Sequence, residues 1–172
     1  MKSASAAEVN REAPRLISPP GTYFVTSITW QRKRLFVVEN MARLFLETLY
    51  GYRRQGRYQL HAFVLMPDHF HLLITPAEEV TLERAMQLIK GGFSHAAGEE
   101  RGHGKSIWER GFTDHRIRDA QDFEHHREYI HSNPAEGKLV ERASDCRYCS
   151  AFPGFKLDPW PPAAKAGVFG AA

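Results

Sequence analysis

The sequence predicts an α+β domain in which a central antiparallel sheet of four to five strands carries helices on one face. Three observations support that prediction. From Tyr58 to Pro76 two near-continuous apolar runs, YQLHAFVLM and HFHLLITP, are joined by Pro67-Asp68, the pattern of a β-hairpin at the centre of a sheet. On either side of the hairpin the apolar residues recur at helical spacing. In chain order the elements read β-α-β-β-α-β followed by one more helix, the order of a split-βαβ sandwich.

Each element has its own local reason. Gly21–Trp30 (GTYFVTSITW) is rich in β-branched and aromatic residues and reads as the first strand. From Val38 to Arg54, Met41, Leu44, Phe45, Thr48, Leu49 and Tyr52 repeat with helical period, predicting an amphipathic helix. The hairpin supplies strands two and three. Thr81 can cap a second helix whose buried stripe is Leu82, Ala85, Met86, Leu88 and Ile89, loosening at Gly91-Gly92. His95–Lys105 reads as a loop, and Ser106–Arg118 as a fourth strand bulged at Gly111. A third helix starts at Asp119 or Asp122, runs through Tyr129 to about Asn133, and is expected to stop before Pro134. The architecture is that of a ferredoxin-like sandwich, with the tyrosine-bearing helix added after it. An arm over 1–19 is expected to be mobile, a domain covers 20–145, and 146–172 is expected to be a loop-rich tail that wraps or frays.

Composition narrows the function classes. At 172 residues and 42% hydrophobic, the chain suits one domain with a sizeable core. A formal charge of +3 with a pI near 9.0 permits a polyanionic partner without demanding one. No apolar run is long enough to span a membrane, and the first residues lack a signal peptide's apolar core, so a cytoplasmic protein is the expectation. Cys146 and Cys149 form a single CxxC, read as free thiols.

Chemistry enters with His69 and His71. Residues two apart on a strand share a face, so the hairpin holds two imidazoles side by side while Phe70 points the other way. Either histidine taken alone also reads as a half-buried core residue. In the third helix Tyr129 and Asn133 are four apart and share a helix face. Taken alone, Tyr129 reads more often as a core or interface aromatic, and Asn133 also reads as a common helix C-terminal residue. Two neutral imidazoles and an amide oxygen can together hold Mg²⁺ or Mn²⁺ with positions left for phosphate oxygens, a set that does not exclude Zn²⁺ or Ni²⁺. Beside a metal-bound phosphodiester, a phenol, whose ordinary pKa is about 10, could be activated to form a phosphotyrosine.

MPDHFHLL resembles the His-hydrophobic-His signature of single-tyrosine HUH transposases, and YIHSNPAEGKLV resembles the tyrosine motif of the REP-associated tyrosine transposases. GTYFVT, LIKGGFSH and IWERGFTDHRIRD extend the resemblance over roughly residues 20 to 155. It departs at Ala135-Glu136, where the family usually has Val followed by Arg or Lys, and around CRYCSAF. The resemblance implies single-stranded DNA cleavage and transfer through a 5′-phosphotyrosine, divalent metal use, and recognition of DNA hairpins near the cut. It makes Tyr129 the nucleophile and His69, His71 and Asn133 the metal ligands. It leaves a monomer or a homodimer open.

Lys90, Arg110, Arg116 and Arg118 could track a phosphate backbone, and Phe93, Trp108 and Phe112 could stack on unpaired bases; each also reads as surface charge or core. His125, one turn before Tyr129, could orient it or lie on a solvated face, and His61, His95, His103 and His115 carry no argument. The competing class is a non-catalytic nucleic-acid-binding module whose histidines are structural.

Overall fold

The computed structural model describes residues 17–101 and 106–162, the side chains of 99–101 excepted. Its elements are β1 (Tyr23–Ile28), α1 (Glu39–Arg54), β2 (Tyr58–Met66), β3 (His69–Pro76), α2 (Leu82–Arg101), β4 (Thr113–Arg116) and α3 (Ala120–Glu136). The strands form one antiparallel sheet in the order β2-β3-β1-β4, the split-βαβ arrangement expected. The expected α+β architecture with a four-stranded antiparallel sheet is the one observed.

Strand alternation divides the core. Tyr23, Val25, Phe63, Leu65, Phe70, Leu72 and Ile74 belong to one buried cluster with α1 and α2 residues, including Phe45, Leu49, Ile89 and Phe93. Ala62, Val64, Met66 and Leu73 belong to a second cluster with Phe123 and Ile130 of α3. A bulge at His61, between Leu60 and Ala62, shifts the β2 register; the ring is fixed by the Asp158 carbonyl at 2.9 Å and by Thr75 Oγ1 at 2.8 Å.

Three boundaries differ from expectation, each for a tertiary reason. Instead of loosening at Gly91-Gly92, α2 continues to Arg101, so most of the expected loop is helical. A Cβ at Gly92 would stand 2.8 Å from the Tyr52 ring, so glycine there admits a close approach of α1 to α2. The expected Ser106–Arg118 strand is reduced to four residues. Trp108 makes only an isolated bridge to Thr29, and Gly111, at φ +76, turns the chain before β4 begins. Pro134 lies buried inside α3, which ends at Glu136. Proline's missing N–H deprives the Ile130 carbonyl of its helical donor. The Cys149 thiol meets that carbonyl at 3.9 Å instead.

The described part of the 146–172 segment lies along β2. Leu65 N–H donates to the Tyr148 carbonyl (2.8 Å), and Ser150 and Asp158 N–H groups donate to Phe63 and Leu60 carbonyls (2.9 and 2.8 Å). This covers an edge strand that would otherwise offer unpaired backbone groups. Both cysteines are free and buried, and burial pushes the Cys149 thiol up to about 11, which leaves it protonated. The expected mobile arm falls largely outside the described residues; within them, Ser18 donates to Glu83 Oε1 from N–H (3.2 Å) and hydroxyl (2.6 Å). No described helix is long and apolar enough to cross a membrane.

Candidate active site

β3 enters the sheet directly from the Pro67-Asp68 turn, and its register sets His69 opposite Ile28 and His71 opposite Thr26 of β1. The two imidazoles share the sheet face covered by α3, with ring centroids 4.9 Å apart. Each has its Nδ1 occupied. His69 Nδ1 lies 2.6 Å from Asp68 Oδ1, and His71 Nδ1 lies 2.7 Å from Thr26 Oγ1. Partners at one nitrogen fix ring orientation and direct the other nitrogen outward, as in metal-ligating histidines. His71 Nε2 is buried with no hydrogen-bond partner. An orphaned buried nitrogen is costly, and coordination to a cation would satisfy it. Burial first, then the neighbouring His69, lowers the His71 pKa to about 3, so its ring is neutral and keeps the lone pair a metal needs.

α3 brings the tyrosine over this pair. The Tyr129 ring meets His71 edge-on at 5.3 Å and Phe24 at 5.8 Å, and the residue is 43% exposed. Its ring is thus fixed by contact while a substrate can reach it from solvent. Asn133 follows one turn later, half-buried, with its backbone carbonyl accepting from Gly137 N–H at 2.9 Å. A Cβ on Gly137 would lie 3.2 Å from the tip of Met66, the register partner of His69, so this end of α3 sits by the histidine end of the hairpin.

Sequence reasoning passed over a second cluster. Asp122, buried at the start of α3, accepts from His115 Nε2 of β4 (2.8 Å) and from the N–H of Arg118 (2.9 Å); its own N–H is capped by Asp119 Oδ1 (2.8 Å). His126 Nδ1 lies 3.2 Å from the same carboxylate, and the two imidazoles stack at 4.6 Å. These donors hold the Asp122 carboxyl down to about 2. His115, Asp122 and His126 bring one potential ligand atom each within 4.8 Å of one another, a group that could also hold a cation. The Asp122–His126 spacing, one turn apart on a helix, was the available signal; His115 had none, because only the β4–α3 packing joins it to them. His126, not His125, faces the site, with its ring 4.8 Å from Phe24.

The chain matches the family model described as transposase IS200-like over residues 20–133. The chain belongs to that family. As a member of it the protein is a DNA-cleaving transposase, in line with the motifs that carried the resemblance. It is 29% identical over 126 residues to the REP-associated tyrosine transposase of Escherichia coli, covering 73% of each chain. It also superposes on the solved structure of a REP-associated tyrosine transposase bound to a REP hairpin. The TM-score there is 0.66 at 27% identity, over 80% of this chain and 81% of that one.

The remaining candidates scatter. Trp108 is 8% exposed, its Nε1–H donates to the Lys90 carbonyl (3.1 Å), and Phe36, Phe45, Phe70 and Phe93 surround its ring. That leaves no free face for a nucleobase, and Phe93 is fully buried beside it. Lys90 donates to the Glu109 (3.2 Å) and Gly111 carbonyls, an internal role that fastens the segment before β4. Arg116 donates to the Pro20 carbonyl (2.7 Å), and Arg118 reaches Asp122 at 3.4 Å; both, with Arg110, keep exposed side chains. His61 is a buried structural residue, His95 lies exposed on α2, and His103 falls outside the described residues.

Proposed function

We propose that this transposase is a metal-dependent single-stranded DNA endonuclease and strand transferase that cuts near DNA hairpins, with Tyr129 as nucleophile. The observation that carries the proposal is the Tyr129 ring seated against His71, whose buried Nε2 has no partner of its own. His69, His71 and Asn133 would hold Mg²⁺ or Mn²⁺, which when bound polarises a phosphoryl oxygen of the DNA. Asp68 and Thr26 hold the two rings in orientation, and the two neighbouring helix turns of α3 set Tyr129 and Asn133 along one face. The phenol of Tyr129 loses its proton to solvent and its oxygen attacks phosphorus. The bond from phosphorus to the 3′ oxygen breaks, leaving a 5′-phosphotyrosine and a 3′-hydroxyl once that oxygen takes up a proton. Attack by a 3′-hydroxyl on the adduct reverses the step and joins strands without ATP. Arg110, Arg116 and Arg118 are proposed to lie along the DNA backbone, so affinity should fall steeply with salt. The protein is proposed to work in the cytoplasm, as a monomer or a homodimer; a mass measurement in solution decides between them.

The test uses labelled single-stranded DNA carrying a hairpin, with Mg²⁺ or Mn²⁺, resolved on a denaturing gel. Wild-type protein forms a covalent adduct, and Tyr129→Phe loses it by about 10³-fold or more. Efficient cleavage by Tyr129→Phe would overturn the mechanism. Tight hairpin binding with no cleavage by the wild type would favour the non-catalytic module instead.

A further inference from the structure

The segment that follows β1, Trp30-Gln31-Arg32-Lys33-Arg34, places one tryptophan and three cations in near succession. It does not hang free. Thr29 N–H donates to the Asp68 carbonyl (2.9 Å), Phe36 N–H donates to the Pro67 carbonyl (3.0 Å), and Arg32 Nη1 reaches Asp68 Oδ2 at 3.4 Å. The other oxygen of that carboxylate holds His69, and Ile28, two residues before Trp30, is the register partner of His69. The loop is therefore laced to the hairpin turn that begins the catalytic strand.

Two features of the loop stand out. Gln31 and Arg32 are consecutive non-glycine residues at φ 52 and 50, a left-handed conformation that their Cβ atoms disfavour. Such outliers persist where the surroundings enforce them, and they gather at ligand clamps. Here the Gln31 N–H donates to Glu109 Oε1 at 2.7 Å and helps to hold the turn. Second, Trp30 is left 40% exposed, whereas Trp108 is buried and Trp160 stacks on Phe123 at 4.6 Å. Lys33 and Arg34 beside it are exposed as well. The two acidic neighbours are engaged, Asp68 with Arg32 and His69, and Glu109 with the Gln31 N–H. An exposed aromatic face with adjacent cations is the chemistry that holds unpaired nucleotides, since every base has a face to stack and every linkage a charge.

We infer that Trp30–Arg34 is a platform for the single-stranded DNA flanking the hairpin, with Trp30 stacking on one unpaired base and Lys33 and Arg34 meeting adjacent phosphates. The inference rests on the proposed function and adds to it a route by which the strand reaches His69. It also gives the loop's strain a purpose: the turn aims the indole outward rather than into the core.

The experiment compares binding of a blunt DNA hairpin with binding of the same hairpin bearing single-stranded extensions, by fluorescence anisotropy on the full chain. Trp30→Ala should weaken binding of the extended hairpin by about 10- to 100-fold and leave the blunt hairpin unchanged. A Lys33→Gln, Arg34→Gln double variant should lower the salt slope for the extended hairpin by about 1.4. Melting midpoints equal to wild type establish that both variants fold. Unchanged binding by Trp30→Ala, or equal loss on the two hairpins, overturns the platform. So does a concentration-dependent dimer that Trp30→Ala abolishes, because it would make the loop a protein interface. If the wild type binds the extended hairpin but forms no adduct, the catalytic reading fails while the Trp30 comparison still decides the platform. If the wild type binds neither hairpin, both fail.

Discussion

The two faces of the sheet are built from alternate residues of the same strands, yet they are held by different forces. On the α1 and α2 face, Phe45 packs against Phe36, Phe70, Phe93 and Trp108 with centroids 4.8 to 6.1 Å apart. Burying each such ring contributes about 1.5–3 kcal/mol, and their one polar atom, Trp108 Nε1, is committed to the Lys90 carbonyl. On the α3 face the next residues of β3 are histidines, and α3 buries only Asp122, Phe123, Ile130 and Pro134. That helix is held by a polar anchor at its start, by the His131–Ser150 contact at 2.9 Å, and by the Cys149 thiol. One face supplies stability, and the other gives part of it up to keep His71 Nε2 available.

The largest contrast should come from paired substitutions on the two faces. Phe45→Ala is expected to cost about 3–5 kcal/mol of stability while the adduct yield per folded molecule stays at wild-type level. His71→Leu is expected to do the opposite. It removes a buried unpaired nitrogen and leaves stability within about 1 kcal/mol of wild type, while adduct formation drops at least about 100-fold. Urea midpoints read beside adduct gels check both, and a His71→Leu protein as unstable as Phe45→Ala would break the division between the faces.

Next in size is acid sensitivity, which should belong to the α3 side. Burial lowers the pKa values of His61, His71 and His131, that of His71 to about 3 against an ordinary 6.5. Between those values the unfolded chain binds protons that the folded chain refuses, so stability is full above about pH 6.5 and falls as the pH drops toward 3. The Asp122 carboxyl, held down to about 2, adds stability above its ordinary value of 3.8 that is lost as the pH falls through 2. Urea midpoints measured at pH 7.5, 6 and 5 should decline, with a shallower decline in His71→Leu; parallel slopes would show that His71 is not the group responsible.

Asp122→Ala tests the anchor. Loss of a buried carboxylate that takes the His115 and Arg118 hydrogen bonds should cost about 1.5–3 kcal/mol. The adduct rate should fall as well, because α3 carries Tyr129. An unchanged rate in a protein still folded would show that the start of α3 does not position its middle.

The smallest effects come from two adjacent glycines of α2. Gly91 has open space where a Cβ would go, so Gly91→Ala should stabilise by about 0.5–1 kcal/mol. Gly92→Ala should destabilise, because its Cβ would meet the Tyr52 ring at 2.8 Å. Thermal melts of the two single variants suffice, and a shift of the same sign for both would refute the close helix contact.

What the sequence determined by itself was whatever rests on local period. The hairpin, the shared face of His69 and His71, the α1 stripe, the Thr81 cap (its Oγ1 accepts from Arg84 N–H at 3.1 Å) and the one-turn spacing of Tyr129 and Asn133 need only dihedral geometry and were legible. Tertiary structure decided whatever depended on a distant partner. Gly92 leaves room for the Tyr52 ring of α1 and so lets α2 run on, Cys149 supplies a donor where Pro134 has none, and a cage of phenylalanines takes Trp108 out of the candidate DNA surface. His115 reaches Asp122 only because β4 ends beside the start of α3, and the tension at Trp30–Arg34 exists only because the hairpin turn holds that loop. A glycine pair, a proline or a lone histidine leaves several backbone outcomes close in energy. The neighbour that satisfies the leftover hydrogen bond or fills the leftover space chooses among them, and that neighbour lies elsewhere along the chain.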